Sequence, residues 1–223
     1  MEKEKRAKCP ICNGIALMGY DMKESEDAEE YRWMHCACGV VFKSDEFSSE
    51  EYSDEEKKEH NSQKEIYARY KHYVHTYIPI IEEMAVGRRF YDNHQYNHVI
   101  AECLENRGWV SSTHKEEPQD LIFLNNTIQN SADPIALLKE YNSMLSKTGI
   151  LMITTPDTDF INVLSPPRWS NWQGKHANMY FNIRSLRDQI EKVGLQVVLS
   201  TQNLSERFPF INDLHIIARK KIM

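Results

Sequence analysis

The sequence has no long apolar run and no excess of positive charge. None of its hydrophobic stretches approaches the ~20 residues that a membrane-spanning helix needs. The first ten residues, MEKEKRAKCP, contain no apolar core of the kind that a signal peptide requires. The net charge of −6 argues against a nucleic-acid binder, which would show a basic excess. We therefore expect a soluble, cytoplasmic protein that binds neither a membrane nor nucleic acid.

Glycine is missing from the one turn where a ligand-binding protein would need it. The stretch FYDNHQYNHVIAECLENRGW, residues 90–109, reads as a strand that runs into a helix. Such a junction often holds a phosphate or a nucleoside on a glycine-rich turn. The turn that follows Asp92 contains asparagine, histidine, glutamine and tyrosine, but no glycine.

Cysteine is rare, but four of the five cysteines lie within the first 40 residues, in two close pairs. Cys9 and Cys12 form CPIC, and Cys36 and Cys38 belong to HCAC. Zinc prefers four N or S ligands in a tetrahedron, so these pairs predict a structural zinc ribbon. The second pair is tighter than usual, which leaves Cys36 or His35 as the fourth ligand. The alternative is a metal-free hairpin with buried thiols.

The segment after the cysteines changes from charged to amphipathic. Residues 45–59 carry dense charge without apolar periodicity, which predicts a solvated linker or a frayed helix. From Ile66 onward apolar and aromatic residues recur at helical spacing, with Pro79 as a candidate kink. We interpret the tyrosines around His72 and His75 as a packing face.

From residue 88 onward, strand-like apolar runs alternate with helical patterns, which predicts a doubly wound, mostly parallel sheet. The runs RRFYD, DLIFLNN and ILMITT predict three strands, and LQVVLST and DLHIIARKK predict two closing strands. Asp133 and Pro134 predict the start of a helix that we expect to end at Gly149. A Ser cap is expected to open the helix SLRDQIEKVG.

Three motifs, in this order, resemble class I S-adenosylmethionine (SAM)-dependent methyltransferases, in particular the bacterial group with an N-terminal zinc ribbon. They are CPIC…CACGVVF before a tyrosine-rich helix, DPIALLKEYNSMLSKTGILMITTPD, and RWSNWQGKHANMYFNIRSL. The resemblance implies a Rossmann-like fold with the core strand order 1-4-5-7-6. It also implies a zinc-ribbon-like segment at 1–44, a charged linker and helix at 45–86, and a methyltransferase-like α/β domain at 87–223.

The cofactor turn departs from this family. In the family, the first strand ends in Asp and a D-x-G-x-G-x-G turn follows, whose glycines let the backbone approach SAM. Asp92 matches the Asp, but His94, Tyr96 and His98 stand at the three glycine positions. Each puts a ring where cofactor atoms should lie. We therefore expect that ordinary SAM binding is lost and that the rings fill the vacated cavity, since an empty cavity would be costly.

The next family elements are shortened. Only VSSTHKEEPQ separates Trp109 from Asp120, and a parallel crossover needs about a dozen residues or more. The second and third strands are therefore expected to be reduced or lost, giving a shortened fold. Glu116 and Glu117 are the remaining candidates for the contact with the SAM ribose.

The acid/base segment is altered as well. Where the family carries Leu-Glu-His after its fourth strand, this chain has Ile128, Gln129 and Asn130, which keep hydrogen-bonding capacity but lose charge. His176 remains near its family position and is the candidate catalytic residue, as a general base.

The leading hypothesis is a pseudo-methyltransferase, not an enzyme, that acts as a binding, regulatory or structural subunit for a protein partner or a small molecule. The runner-up is an active SAM-dependent methyltransferase for a small molecule, with a rearranged cofactor site and with His176, Asp157 and Tyr180 lining the substrate side.

Two further alternatives involve the histidines of the turn. A different ligand could be held by His94, His98 and a loop that carries Trp169 and Trp172. Alternatively, His94 and His98, spaced i and i+4, could bind a metal with Asp92 as a third ligand; Glu102 continues the same helix face.

Overall fold

A computed structural model describes residues 7–23, 29–44, 53–60, 62–92, 98–112, 117–163, 175–202 and 213–221. The strands are β1 (Ala16–Met22), β2 (Tyr31–Cys36), β3 (Val41–Lys43), β4 (Arg89–Asp92), β5 (Val110–Ser111), β6 (Gln119–Asn125), β7 (Leu145–Pro156), β8 (Met179–Tyr180), β9 (Leu195–Thr201) and β10 (Asp213–Lys220). The helices are α1 (Asp54–His60), α2 (Gln63–Met84), α3 (Val99–Glu105), α4 (Pro134–Met144), α5 (Asp159–Val163) and α6 (Ile183–Lys192), with a 3₁₀ turn at Ile128–Asn130.

The central sheet has six strands in the order β5-β4-β6-β7-β10-β9. The first four pair in parallel, and β10 pairs antiparallel with both β7 and β9. The predicted core order 1-4-5-7-6 is therefore confirmed. The second strand is reduced to the two residues of β5, and no third strand lies beyond it in the described part of the chain.

A second, antiparallel sheet has the order β1-β2-β3-β8. Its last strand comes from the α/β part of the chain, because Val41 of β3 pairs with Tyr180 of β8. The cysteine-bearing hairpin thus shares a sheet with the later part of the chain. The division into segments 1–44, 45–86 and 87–223 stays a prediction.

Alternate residues of the buried strands face two apolar layers. Ile122 and Leu124 of β6 lie in a cluster with α4, α6 and part of the hairpin. Leu121 and Phe123 face a second cluster, which contains α2 and α3. This two-sided burial explains why β6 and β7 carry continuous apolar runs. Tyr73 and Tyr77 of α2 belong to the second cluster, which confirms the C-terminal half of the predicted packing face, whereas Tyr67 and Tyr70 are exposed.

Helix α4 begins as predicted but ends earlier. The backbone N–H of Ala136 donates to Asp133 Oδ1 at 2.8 Å, and Pro134 is the first helical residue. The expected end at Gly149 is wrong, because the chain turns extended at Leu145 and Gly149 lies inside β7. A Cβ at Gly149 would collide with the carbonyl oxygen of Gln119, so this glycine permits a close approach of β6 and β7.

The predicted Ser cap of the last helix is also wrong. Asn182 is the N-cap of α6, and Ser185 is its third helical residue. The N–H of Ser185 donates to Asn182 Oδ1 at 2.8 Å, and the N–H of Asn182 donates to Ser185 Oγ at 3.1 Å. The two side chains form a reciprocal capping box, which satisfies two donors at once.

We expect Asp133→Ala to lower the free energy of unfolding by about 1 kcal/mol, because the first turn of α4 loses its side-chain acceptor. The free energy of unfolding of Asp133→Asn should lie within a few tenths of a kcal/mol of that of the unmodified protein, since asparagine caps a helix equally well. Urea unfolding followed by circular dichroism measures both. Equal losses in the two variants would contradict a capping role.

Candidate functional site

The N-terminal cysteines converge on one point. The Sγ atoms of Cys9 and Cys38 are 3.8 Å apart, and those of Cys12 and Cys36 are 3.4 Å apart. All four sulfurs lie within 4.8 Å of one another. A tetrahedral zinc ion with Zn–S bonds of about 2.3 Å has sulfur–sulfur edges of about 3.8 Å. The donor set and its spacing therefore fit a zinc ion.

Two tight turns present these thiols. In the first turn, the N–H of Asn13 donates to the Cys9 carbonyl and the N–H of Gly14 donates to Cys12 Sγ at 3.4 Å. In the second, the N–H of Gly39 donates to the carbonyl of Cys36 at 2.9 Å, with Gly39 at φ 92°. Only glycine adopts that φ without strain, so the C-x-C-G sequence suits this turn.

His35 lies outside the cluster. Neighbouring residues of a strand point to opposite faces, and here Cys36 faces the other sulfurs while His35 Nδ1 lies 3.4 Å from the hydroxyl of Tyr20. Burial lowers the pKa of His35. The geometry therefore favours Cys36 over His35 as the fourth ligand.

The thiols differ in their protonation. Burial raises the pKa of Cys9 to about 11 and also raises that of Cys38. At Cys12, burial acts to raise the pKa, but the N–H of Gly14 and the neighbouring thiols outweigh it and lower the pKa to about 7. Zinc binds thiolates, so loading the cluster would release protons and metal affinity would fall in acid.

We expect Cys36→Ser to weaken zinc binding by more than about tenfold, because the cluster loses one of its four thiolates. His35→Gln should bind zinc like the unmodified protein. Cys103→Ala is the matched control for the loss of a thiol, since Cys103 lies on the buried face of α3, away from the cluster. Zinc release to a colorimetric chelator measures all three. Loss of zinc in His35→Gln with retention in Cys36→Ser would reverse the assignment.

The second candidate site is the carboxyl edge of β4, β6 and β7, where open α/β sheets bind their ligands. Asp92 ends β4 there, as predicted. His94 and Tyr96 lie outside the described residues. His98 is exposed and is the N-cap of α3, without a side-chain capping bond. Helix α3 begins only at Val99, and the metal alternative that pairs His94 with His98 stays a prediction.

Glu117, one of the two ribose candidates, does not reach this edge. Glu117 forms an ion pair with Arg89, whose Nη1 lies 2.7 Å from Glu117 Oε2. Arg89 is the first residue of β4, so Glu117 lies at the amino end of that strand. Glu116 falls outside the described residues, as do Trp169 and Trp172.

At the carboxyl end of β6, both polar atoms of the Asn125 side chain are already hydrogen bonded within the chain. Asn125 is 7% exposed. Its Nδ2 donates to the Tyr73 hydroxyl at 2.5 Å, and its Oδ1 accepts from Thr154 Oγ1 at 2.6 Å. Next to this group, the Tyr77 hydroxyl lies 3.4 Å from His215 Nδ1. Burial lowers the pKa of His215 to about 4 and raises that of Tyr77, so both are neutral at pH 7.

The altered acid/base segment also pairs internally. Thr155 Oγ1 donates to Gln129 Oε1 at 3.0 Å, and Gln129 is fully buried. The carbonyl of Gln129 accepts from the N–H of Asn178 at 2.8 Å, while Asn178 Nδ2 donates to the Asn130 carbonyl. His176 lies two residues before Asn178, so these bonds hold its segment near the carboxyl end of β6. Its catalytic role stays a prediction.

His176 has a partner that the sequence did not reveal. Its Nε2 lies 2.9 Å from Oε1 of Glu56 in α1, and Lys175 Nζ lies 3.4 Å from both oxygens of that carboxylate. The hydrogen bond from His176, followed by the capping bonds of Ser53, lowers the pKa of Glu56 to about 2. The S-x-x-E spacing of Ser53 and Glu56 could have predicted the start of α1, but not its contact with His176.

Two carboxyl groups lie close together after β7 and at the start of β10. Asp157 is fully buried and accepts from Gln202 Nε2 at 2.6 Å. Burial raises the pKa of Asp157, and burial together with Asp157 raises that of Asp213 to about 6. Tyr180, expected beside Asp157 in an active enzyme, is fully buried against Trp33, with ring centroids 5.1 Å apart.

We expect Asp213→Asn to raise the free energy of unfolding at pH 7.5 by about 3 kcal/mol. The folded pKa of about 6 exceeds the ordinary 3.8, so the folded state retains a proton that the unfolded chain has lost. Stability should therefore fall as pH rises from about 4 to 6, and the advantage of Asn should disappear below about pH 4. Urea unfolding between about pH 4 and 7.5 measures the difference in free energy of unfolding between the variant and the unmodified protein. Asp188→Asn, on the exposed face of α6, is the control and should show no such pH-dependent gain. A gain independent of pH would contradict this origin.

The comparisons with known proteins agree with this architecture. The model of a family described as a methyltransferase domain matches residues 23–200, well over half of the chain. The chain belongs to this methyltransferase family. No curated protein matches it in sequence.

Solved methyltransferase structures match the chain with TM-scores on both sides of 0.5. A chain from a complex between the Haloferax volcanii Trm112 methyltransferase activator and a methyltransferase has a TM-score of 0.54 at 11% identity, covering 77% of this chain and all of that one. The methyltransferase CcbJ from Streptomyces caelestis has a TM-score of 0.49 at 9% identity, covering 64% and 93%. A SAM-dependent methyltransferase from Clostridium acetobutylicum has a TM-score of 0.44 at 7% identity, covering 74% and 94%.

A metal ion could be shared by three or more acidic, histidine or cysteine side chains that lie close together. Among the described residues, the four cysteines form the one such group. None of the helices described combines the length and hydropathy that a membrane crossing demands.

Proposed function

We propose that this chain is a pseudo-methyltransferase, which keeps the methyltransferase fold, lacks ordinary SAM binding, and serves as a binding, regulatory or structural subunit. The proposal rests on the hydrogen bonds that already occupy the polar groups at the carboxyl edge of the sheet. The amide of Asn125 is engaged at both ends, by Tyr73 of α2 and Thr154 of β7. A ligand that needed this amide would have to displace α2, whose face is packed into the core.

The cofactor turn supports the same conclusion. His94, Tyr96 and His98 stand where the family places glycines. A glycine there lets the backbone approach the cofactor, and a ring does not. The two-residue β5 also leaves little of the strand from which the family draws its ribose ligand. These residues do not fit SAM in its usual place.

The polar residues near His176 support a structural role. The Gln129 amide bonds to Thr155 and is fully buried, so it neither carries charge nor faces solvent. An amide cannot act as the acid or base that a Glu at this position could supply. The segment after β6 therefore serves to connect strands and the turn around Asn178.

A protein partner fits this role. The similar chain from the Haloferax volcanii complex comes from an assembly of a methyltransferase with its activator. In this chain, β1 is an edge strand of the described sheet, and two apolar side chains near its start, Ile15 before it and Leu17 within it, are 50% and 71% exposed. Exposed apolar side chains that lie together at a sheet edge are typical of surfaces that another chain covers. A small-molecule ligand is the alternative partner.

The second candidate function is an active SAM-dependent methyltransferase for a small molecule. One observation favours it: His176 is hydrogen bonded to the Glu56 carboxylate. A carboxylate that fixes the ring of a histidine is a common arrangement for a general base. The cofactor site would then have to be formed by residues other than those of the usual turn.

Calorimetric titration of the zinc-loaded, full-length protein with SAM and with S-adenosylhomocysteine separates the two functions. We expect no saturable heat with either ligand, because rings occupy the glycine positions and Asn125 is closed by Tyr73. Thermal unfolding should likewise be unchanged by either ligand, since only a bound ligand stabilises the folded state. Micromolar binding of either one would overturn the pseudo-methyltransferase proposal.

A further inference from the structure

Helix α1 is attached to the fold by charge. None of the side chains that the structure describes on α1 is buried. Among the described residues, the polar contact of α1 with a distant part of the chain is made by the Glu56 carboxylate, which meets Lys175 and His176 more than a hundred residues later. Polar contacts of this kind hold a helix more weakly than an apolar face does, so α1 can detach without opening the core.

Lys175 and His176 present two donors to one point. Lys175 Nζ lies 3.4 Å from Oε1 and from Oε2 of Glu56, and His176 Nε2 lies 2.9 Å from Oε1. His176 is 7% exposed, so its ring is fixed by the surrounding chain. A fixed imidazole beside an ammonium group is an arrangement that recognises a compact oxyanion, either a carboxylate or a phosphate.

The place of this pair is that of a ligand site. His176 is joined to the carboxyl edge of the sheet through Asn178, whose N–H donates to the Gln129 carbonyl at the end of β6. That edge is where open α/β sheets bind their ligands. Glu56 therefore reaches the edge from outside it, on a helix that belongs to the acidic segment after the hairpin.

We propose that Lys175 and His176 form a binding site for an oxyanion group, and that the Glu56 carboxylate fills this site in the absence of ligand. A ligand carboxylate or phosphate then competes with Glu56 and releases α1. Helix α1 thus blocks the site until a ligand displaces it, and we call the contact of Glu56 with Lys175 and His176 the latch. This inference concerns residues outside the cofactor turn, so it stands whether or not the chain binds SAM.

Glu56 is well suited to this role. The bond from His176 and those from Ser53 lower its pKa to about 2, so the carboxylate stays charged throughout the ordinary pH range. Ser53 N–H donates to Glu56 Oε2 at 2.6 Å, and the N–H of Glu56 donates to Ser53 Oγ at 3.3 Å. This capping box holds the carboxylate at the first turn of α1, facing Lys175 and His176.

Hydrogen exchange of residues 57–60, followed by mass spectrometry on the full chain, tests the latch. We expect Glu56→Gln to speed exchange in α1 about fivefold or more, because the charged contact with His176 is lost. Glutamine also forms the capping box, so the helix itself is preserved. Glu55→Gln is the matched control: it removes the same charge from the same exposed turn and should change exchange less than twofold. Lys175→Gln should speed exchange from the other side of the contact.

The site itself is tested with inorganic phosphate and with acetate, each against sodium chloride at equal ionic strength. Either anion, in competing with Glu56, should speed exchange of α1 in the unmodified protein beyond the effect of chloride, and should have no further effect in Glu56→Gln. The anion that acts identifies the group that the ligand carries. Equal exchange in Glu56→Gln and Glu55→Gln, or no change in Lys175→Gln, would overturn the latch. A response no greater than that to chloride would overturn the oxyanion site.

Discussion

Polar groups buried at the carboxyl edge of the central sheet have to be paired, because an unpaired buried group costs about 1–3 kcal/mol. Asn125, Gln129, Asp157 and His176 are each at most 7% exposed. Their partners come from four different places: α2, β7, the residue after β9, and α1. This requirement draws distant elements of the chain to one edge. Most of these groups find partners within the chain, which explains how a methyltransferase fold can persist with an altered cofactor turn; the exception is Gln129 Nε2, which is buried without a hydrogen-bond partner among the described residues.

The cysteine hairpin is part of the same construction. Strand β8, which begins three residues after His176, completes the sheet of the hairpin. The carbonyl of Gly39, next to Cys38, accepts from Thr158 Oγ1 at 2.8 Å, and Thr158 follows Asp157 in the chain. A metal at the cysteines would fix this turn and with it the neighbouring edge. Because metal binding to such clusters contributes folding free energy, a zinc ion bound there would stabilise this turn and the edge beside it together.

The sequence predicted most of the scaffold, because its signals are local or periodic. The apolar runs of β6 and β7 indicate strands buried on both faces, and Asp133 with Pro134 marks the start of α4. Prediction from the sequence failed where one residue type can serve two structural purposes. Gly149 has the appearance of a helix stop, but it is needed where two strands approach closely. Ser185 looks like a cap, but it is one half of a capping box that Asn182 begins.

By itself, the sequence determined the α/β fold class, the two cysteine pairs and the absence of glycine from the turn after Asp92. These follow from residue type and short spacings. Only the tertiary structure decided that Asn125 is hydrogen bonded to Tyr73 and His176 to Glu56, since these pairs are 52 and 120 residues apart in the chain. No local pattern specifies such a contact, because it depends on how α1 and α2 pack across the finished sheet. The chemistry available at the edge, unlike the scaffold that carries it, is therefore a property of the folded chain.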